Sequence, residues 1–188
     1  MHFLSGGAGC LAAAALCLSM PSVGAPGTFA DYEAEAALIY KVGKFVHWPE
    51  AAFAASGGQL KLCIVGHDDF GASVDGLAGQ RLQGQMIAIE RLSSVDASAA
   101  TCHIAFISRS ERGNLDAFLN AVSQSAVLTI SDIEGFAAQG GMVGFSGSDG
   151  RVDLEINSAA SKRAGLDIGA QLMQCATLVA DARPGAKP

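Results

Sequence analysis

Apolar residues recur at three- and four-residue steps in "DYEAEAALIYKVGKFVHW", starting at Asp31. This spacing places Tyr32, Leu38, Val42, Phe45 and Val46 near one face of a helix. Asp31, Glu33 and Glu35 fall in the first turn, where acidic side chains suit the helix dipole. Pro49 pushes Trp48 out of the helical region and ends the element. The pattern then shifts to short apolar runs between polar, glycine-bearing segments. "LKLCIV" (60–65) stops at Gly66 and reads as a buried strand; "QMIAIERL" (85–92), "CHIAFIS" (102–108) and "AVLTIS" (126–131) read as three more. "HDDFGASVDGLAG" allows a helix capped by Asp68 or Asp69. "ERGNLDAFLNAVSQ" (111–124) predicts a helix with Leu115, Phe118, Leu119 and Val122 inward, and "IEGFAAQGG" a short helix or loop. "MVGFSGSDGRVDLEIN" reads as two strands around a Gly- and Ser-rich turn. From Ser158 the chain reads as helical with a break at Gly165, its last stretch burying Ile168, Leu172, Met173, Ala176 and Val179. Residues 181–188 read as a disordered tail.

Strands alternating with helices predict one α/β domain over residues 31–180. The expected core is a mainly parallel central sheet flanked by helices, in flavodoxin- or Rossmann-like order, with the C-terminal antiparallel hairpin at an edge. The N-terminus is a different kind of sequence. "FLSGGAGCLAAAALCLSM" carries no Asp, Glu, Lys or Arg, and "SVGA" follows with Val23 and Ala25 at the small-residue positions of a cleavage site. A signal peptide over 1–25 is expected, or over 1–30 if "TFA" is cut instead. A retained anchor is the competing reading, although the run is short for a span. After processing the chain is expected not to span a membrane.

The net charge of −6 disfavours nucleic acid as a partner, because phosphate binding needs clustered Lys and Arg. It equally disfavours attraction to an anionic membrane surface. Beyond the leader three cysteines remain, Cys63, Cys102 and Cys175. Cys63 lies inside the first strand and Cys102 opens the third. In a 2-1-3 strand order those strands are neighbours, about 4.8 Å apart. A disulfide is then within reach, with two buried free thiols as the competing reading. Cys175, among apolar residues, reads as a buried thiol.

Ligands of open α/β sheets bind at the carboxyl ends of the strands. Here those ends carry His67, Asp68, Ser108, Arg109 and Asp132. Asp68, Ser108 and Asp132 can simply cap helices; alternatively the five line a small polar pocket with Arg109 as an anion anchor. There is no G-x-S-x-G elbow, since "GFSGSDG" lies in a hairpin turn, and neither a Walker loop nor G-x-G-x-x-G. Cys102 and His103 point to opposite faces of a strand and cannot readily share a metal. No catalytic residue, metal or cofactor is expected, and the chain does not read as an enzyme.

"YKVGKFVHWP", "LKLCIVG", "CHIAFIS", "VLTISD", "GGMV" and "RVDLEINSAASKRAGLDIGAQLM" follow one another in an order and spacing that resembles the YfiR family of periplasmic proteins, over nearly all of residues 31–180. The resemblance implies a non-enzymatic periplasmic regulator. It would bind and inhibit the periplasmic sensor domain of an inner-membrane diguanylate cyclase, lowering cyclic di-GMP and biofilm formation. It also implies a homodimer, and disulfides used for stability and redox response. Cys63 and Cys102 sit where members can carry one bridge. The second, later cysteine pair of some relatives is missing here, which puts redox control in doubt. Glu155 matches the acid of the family's "EIN" motif, implicated in partner binding, with Ile156, Leu166 and Ile168 as apolar neighbours; for Glu155 and Asn157 the competing roles are edge satisfaction and a helix cap, and for the apolar three a buried core. Phe45 and Trp48 look like a packing signature, with ligand stacking on Trp48 as the alternative. A second functional reading is a small-ligand sensor acting on another membrane signalling protein.

Overall fold

The computed structural model of the chain describes residues 29–54, 56–94, 97–147 and 152–182. The expected leader and most of the expected tail lie outside these. Helix α1 (Phe29–Lys44) buries Tyr32, Ala36, Ile39 and Val42, a stripe at four- and three-residue steps. Ile39 therefore occupies the core position expected of Leu38; Leu38 and Phe45 pack only partly against it. At Gly43 the helix touches the sheet so closely that a Cβ would stand 2.7 Å from Leu82 Cδ2. The helix stops at Lys44 because the next residues form strand β1 (Val46–His47), paired antiparallel with Asp167–Ile168. Pairing, ahead of Pro49, ends it.

There follow β2 (Gln59–Val65), α2 (Ala72–Asp75), β3 (Arg81–Leu82), β4 (Gln85–Leu92), β5 (Ile104–Ile107), α3 (Leu115–Val122), β6 (Leu128–Ser131), β7 (Val143–Ser146), β8 (Asp153–Ile156), α4 (Ser158–Arg163), β9 (Asp167–Ile168), α5 (Ala170–Gln174) and β10 (Thr177–Leu178). Eight strands form one sheet in the order β10-β8-β7-β6-β5-β2-β4-β3. Strands β4, β2, β5, β6 and β7 run parallel, but β3 joins β4 and β8 joins β7 antiparallel, and β10 lies parallel to β8. The sheet is thus mixed rather than mainly parallel. Two local causes account for the correction. Gln83 and Gly84 both have positive φ, 49° and 82°, which makes a tight primed turn between β3 and β4. The β7–β8 hairpin supplies the other end, in the register Gly144↔Glu155; its turn lies outside the described residues. Helices also cover the crossovers unevenly: β5 to β6 carries α3, while β4 to β5 carries a 3-10 turn (Ala97–Thr101) and β6 to β7 only turns among the described residues. The even helical cover of a doubly wound fold is not reproduced.

Both faces of the central strands are buried, by alternation. Leu62, Ile64, Ile104 and Phe106 face α1; Cys63, Val65, Ala105 and Ile107 face α3, whose Leu115, Phe118, Leu119 and Val122 all point inward as expected. The helix expected after Ser158 is split. Gly165 turns the chain at φ +72°, β9 is drawn to β1, and β10 adds to the sheet edge. Ile168 and Leu172 are buried as expected; Met173, Ala176 and Val179 are only partly so. Cys175 is exposed, contrary to the buried thiol expected.

Candidate functional site

Three places stand out: the carboxyl end of the sheet, its amino end, and the margin formed by β8 and β10. At the carboxyl end the five residues singled out by sequence lie on neighbouring strand ends but divide into separate groups. Arg109 Nε lies 2.6 Å from Asp132 Oδ2 in an ion pair, with Arg109 half exposed and Asp132 buried. Asp68 Oδ1 accepts the N–H groups of Phe70 (2.9 Å) and Gly71 (3.1 Å), while its Oδ2 accepts from Arg91 Nε at 2.6 Å; Arg91 also holds Asp75 at 2.8 Å. Ser108 caps the 3-10 turn Arg109–Asn114 by accepting the Ser110 N–H. The His67 backbone N–H donates to Ser110 Oγ at 2.9 Å, and its exposed ring lies 3.5 Å from Asp69 Oδ1. Asp68 and Ser108 therefore serve backbone turns, the reading that competed with a pocket.

The crevice between β2 and β5, where an open sheet would take a ligand, is closed by contact of the two loops. A Cβ on Gly66, at φ +92°, would stand 2.5 Å from Ser110 Oγ and 2.7 Å from Glu111 Cγ. Polarity collects instead beside β6. Burial pushes the Asp132 carboxyl above its ordinary range, with Arg109 pulling it back. Tyr32, from the first turns of α1, joins this group: burial first, then Asp69 and Asp132, push its hydroxyl up to about 12 against the opposing pull of Arg109. Sequence reasoning assigned Tyr32 to the core stripe alone, since no local pattern links it to Asp132.

At the amino end, Cys63 and Cys102 form a disulfide with Cα atoms 6.0 Å apart. Beside it His103 is fully engaged. Its Nδ1 accepts the Lys61 N–H at 3.0 Å, so Nε2 carries the proton and donates to the Ala52 carbonyl at 3.1 Å. Phe53 stacks on the ring at 4.8 Å, and Trp48 Nε1 donates to the His103 carbonyl at 3.2 Å. The segment Tyr40–Phe53 thus closes the amino end of the sheet, and buried Trp48 is a packing residue. Burial, reinforced by Lys61, lowers the His103 pKa below 6.5, while the Ala52 bond opposes the shift. A folded pKa below the unfolded one gives stability that is present above about pH 6.5 and lost as pH falls through the folded value. Urea midpoints are expected to drop between pH 7 and pH 5, and the slope to flatten in His103→Gln; equal slopes would reject the assignment.

At the third place, Glu155 pairs with Gly144 on one side and Thr177 on the other. Its Oε2 lies 3.5 Å from where a Gly144 Cβ would stand, an ordinary contact distance. Ile156, Leu166 and Ile168 are buried in the core, the competing destination, and do not form an apolar surface patch. Asn157 is a true helix cap: Oδ1 accepts the Ala160 N–H at 3.0 Å and Nδ2 donates to the Ala137 carbonyl at 2.9 Å. The exposed apolar residue nearest this edge is Leu178, on β10.

Among the described residues no group of three His, Cys, Asp or Glu could hold a metal ion. No helix among them is long and apolar enough to cross a membrane. No curated protein matches the chain. A family model described as YfiR/HmsC-like matches residues 32–177, from the start of α1 to β10, and the chain belongs to that family.

Proposed function

We propose that the chain is a non-enzymatic periplasmic regulator that binds the periplasmic sensor domain of an inner-membrane diguanylate cyclase and restrains it, lowering cyclic di-GMP and biofilm formation. The family match over residues 32–177 carries this reading. It acts as an exported homodimer. Partner contact centres on Glu155, with Leu178 of the neighbouring strand as the exposed apolar element; Ile156, Leu166 and Ile168 act from below, fixing the position of the edge.

Deleting the gene should raise cellular cyclic di-GMP under biofilm conditions. Mature tagged protein should capture, from detergent-solubilised inner membrane, a protein that joins a periplasmic sensor domain to a cyclase. Glu155→Lys should weaken that capture by roughly tenfold, the equivalent of about 1.4 kcal/mol. Unchanged cyclic di-GMP with capture of a different membrane signalling protein, such as a histidine kinase, would keep the regulatory role and replace the output. A second reading, a small-ligand sensor, rests on the Tyr32–Arg109–Asp132 group at the other end of the sheet.

A further inference from the structure

The crossover from β6 to β7 carries only turns among the described residues, and α4 is six residues long. Between the end of α3, the start of β6 and α4, this thin cover leaves a cavity of about 250 Å³. Leu119 and Val122 of α3, Met142 ahead of β7 and Ala164 at the end of α4 supply apolar walls. The space is several times the ~30 Å³ share of one water in the liquid, so it is not a site for a single buried water. It lies just below the pockets that take organic ligands, which start at about 300 Å³.

One buried polar group lining this cavity is half satisfied. Thr129, the second residue of β6, is 1% exposed, and its Oγ1 accepts the Met142 N–H at 3.0 Å. A threonine hydroxyl also has one proton to donate. Among the described residues that proton meets no acceptor. Ser131, on the same strand, shows the contrast: its Oγ accepts the Ile133 N–H and donates to the Ile107 carbonyl at 2.6 Å. Ser123, also lining the cavity, donates to the Asn120 carbonyl at 2.8 Å. A buried donor without an acceptor, beside open space, calls for a guest that accepts a hydrogen bond. Charge narrows the choice. Arg163 is the one charged lining side chain among the described residues, and its Nη2 donates to Asp181 Oδ2 at 2.5 Å. An anion drawn to Arg163 meets the Asp181 carboxylate, and a cation meets the guanidinium. A charged guest of either sign would also give up its hydration against apolar walls, at high cost.

We propose that the cavity between α3 and α4 binds a small neutral carbonyl compound with a short aliphatic chain. Its carbonyl oxygen accepts the Thr129 O–H, its chain lies along Leu119, Val122 and Met142, and the Arg163–Asp181 pair turns away charged guests. This inference stands whether or not the regulator reading of the β8 edge does, because the test uses the purified mature protein alone.

The experiment is calorimetric titration of the mature protein with 2-hexanone, against sodium hexanoate, hexylammonium chloride and acetone. The ketone should bind saturably at millimolar concentrations, as expected of so small a ligand. Hexanoate and hexylammonium, with the same chain and a charged head, should bind at least fivefold more weakly, and acetone, with the head and no chain, at least tenfold. Thr129→Val should weaken 2-hexanone at least threefold. Thr129→Ser, which keeps the hydroxyl and the bond to Met142, should stay within twofold of the parent and so separates loss of the donor from loss of structure. Ala164→Leu, which fills the cavity from a half-buried position, should abolish binding while circular dichroism stays that of the parent. No saturable heat would mean that the cavity holds water alone and would overturn the proposal. So would a charged probe or acetone that binds as tightly as the ketone, an unchanged Kd in Thr129→Val, or binding that survives Ala164→Leu, which would put the guest elsewhere.

Discussion

Replacing Cys63 and Cys102 with alanine, or reducing the bond between them, is expected to lower the unfolding free energy by roughly 4 kcal/mol. The two residues are separated by 39 positions, and closing a loop of that length removes much conformational freedom from the unfolded chain. The bridge lies on the α3 face, among Val65, Ala99 and Ala105, where alanine or a free thiol is tolerated without a buried charge. The loss therefore acts chiefly through the unfolded state and leaves the native packing in place. Against a typical total of about 5–15 kcal/mol, the reduced protein would be folded but marginal. Urea unfolding with and without reductant measures the difference; a change below about 1 kcal/mol would mean that the loop stays compact after the bond is cut.

The second large effect belongs to Trp48. Trp48→Ala is expected to cost about 3–5 kcal/mol, the range for emptying a buried aromatic site. Trp48 is buried in the core cluster with Tyr32, Val46 and Ile168, and it donates to the His103 carbonyl, which also accepts the Leu128 N–H at 2.8 Å. Trp48→Phe keeps most of the apolar volume and removes only the donor, so a smaller loss of about 1 kcal/mol is expected. The pair of variants separates packing from hydrogen bonding by equilibrium unfolding. If the phenylalanine variant were as unstable as the alanine one, the indole N–H would dominate and the packing account would fail.

How far the sequence could be read depended on the range of the forces involved. Strands β2 and β4 and helix α3 were legible because their apolar periodicity is local. The adjacency of the strand carrying Cys63 and the strand that Cys102 leads into followed from strand order, and the bond between the two cysteines is formed. The two-residue strands β1, β3, β9 and β10 were not legible, because each exists only through a partner elsewhere in the chain. Gln83 shows this: it turns left-handed between β3 and β4, and its side-chain amide donates to the Gly43 carbonyl near the end of α1 and to the Val46 carbonyl of β1. Of the strand-end residues, Arg109 and Asp132 were found, but their mutual pairing and the approach of Tyr32 arise from packing. Ile156, Leu166 and Ile168 looked equally suited to a surface patch and a core; composition could not decide between them, and burial did.

The pairing of β1 with β9 bears on how the molecule is completed in time. Val46 meets Ile168, and Gly169 N–H donates to the Phe45 carbonyl at 2.7 Å, so the strand that anchors the first helix waits for nearly the last part of the chain. The edge of β8 is likewise covered only when Thr177 and Leu178 arrive. A chain delivered from its N-terminus passes through a stage in which the central strands are present, the first helix is unpinned and the Glu155 edge is bare. C-terminal truncations that reach β9 should consequently loosen structure at the opposite end of the sequence, and the last sixteen described residues, 167–182, act as the latch on the first ones.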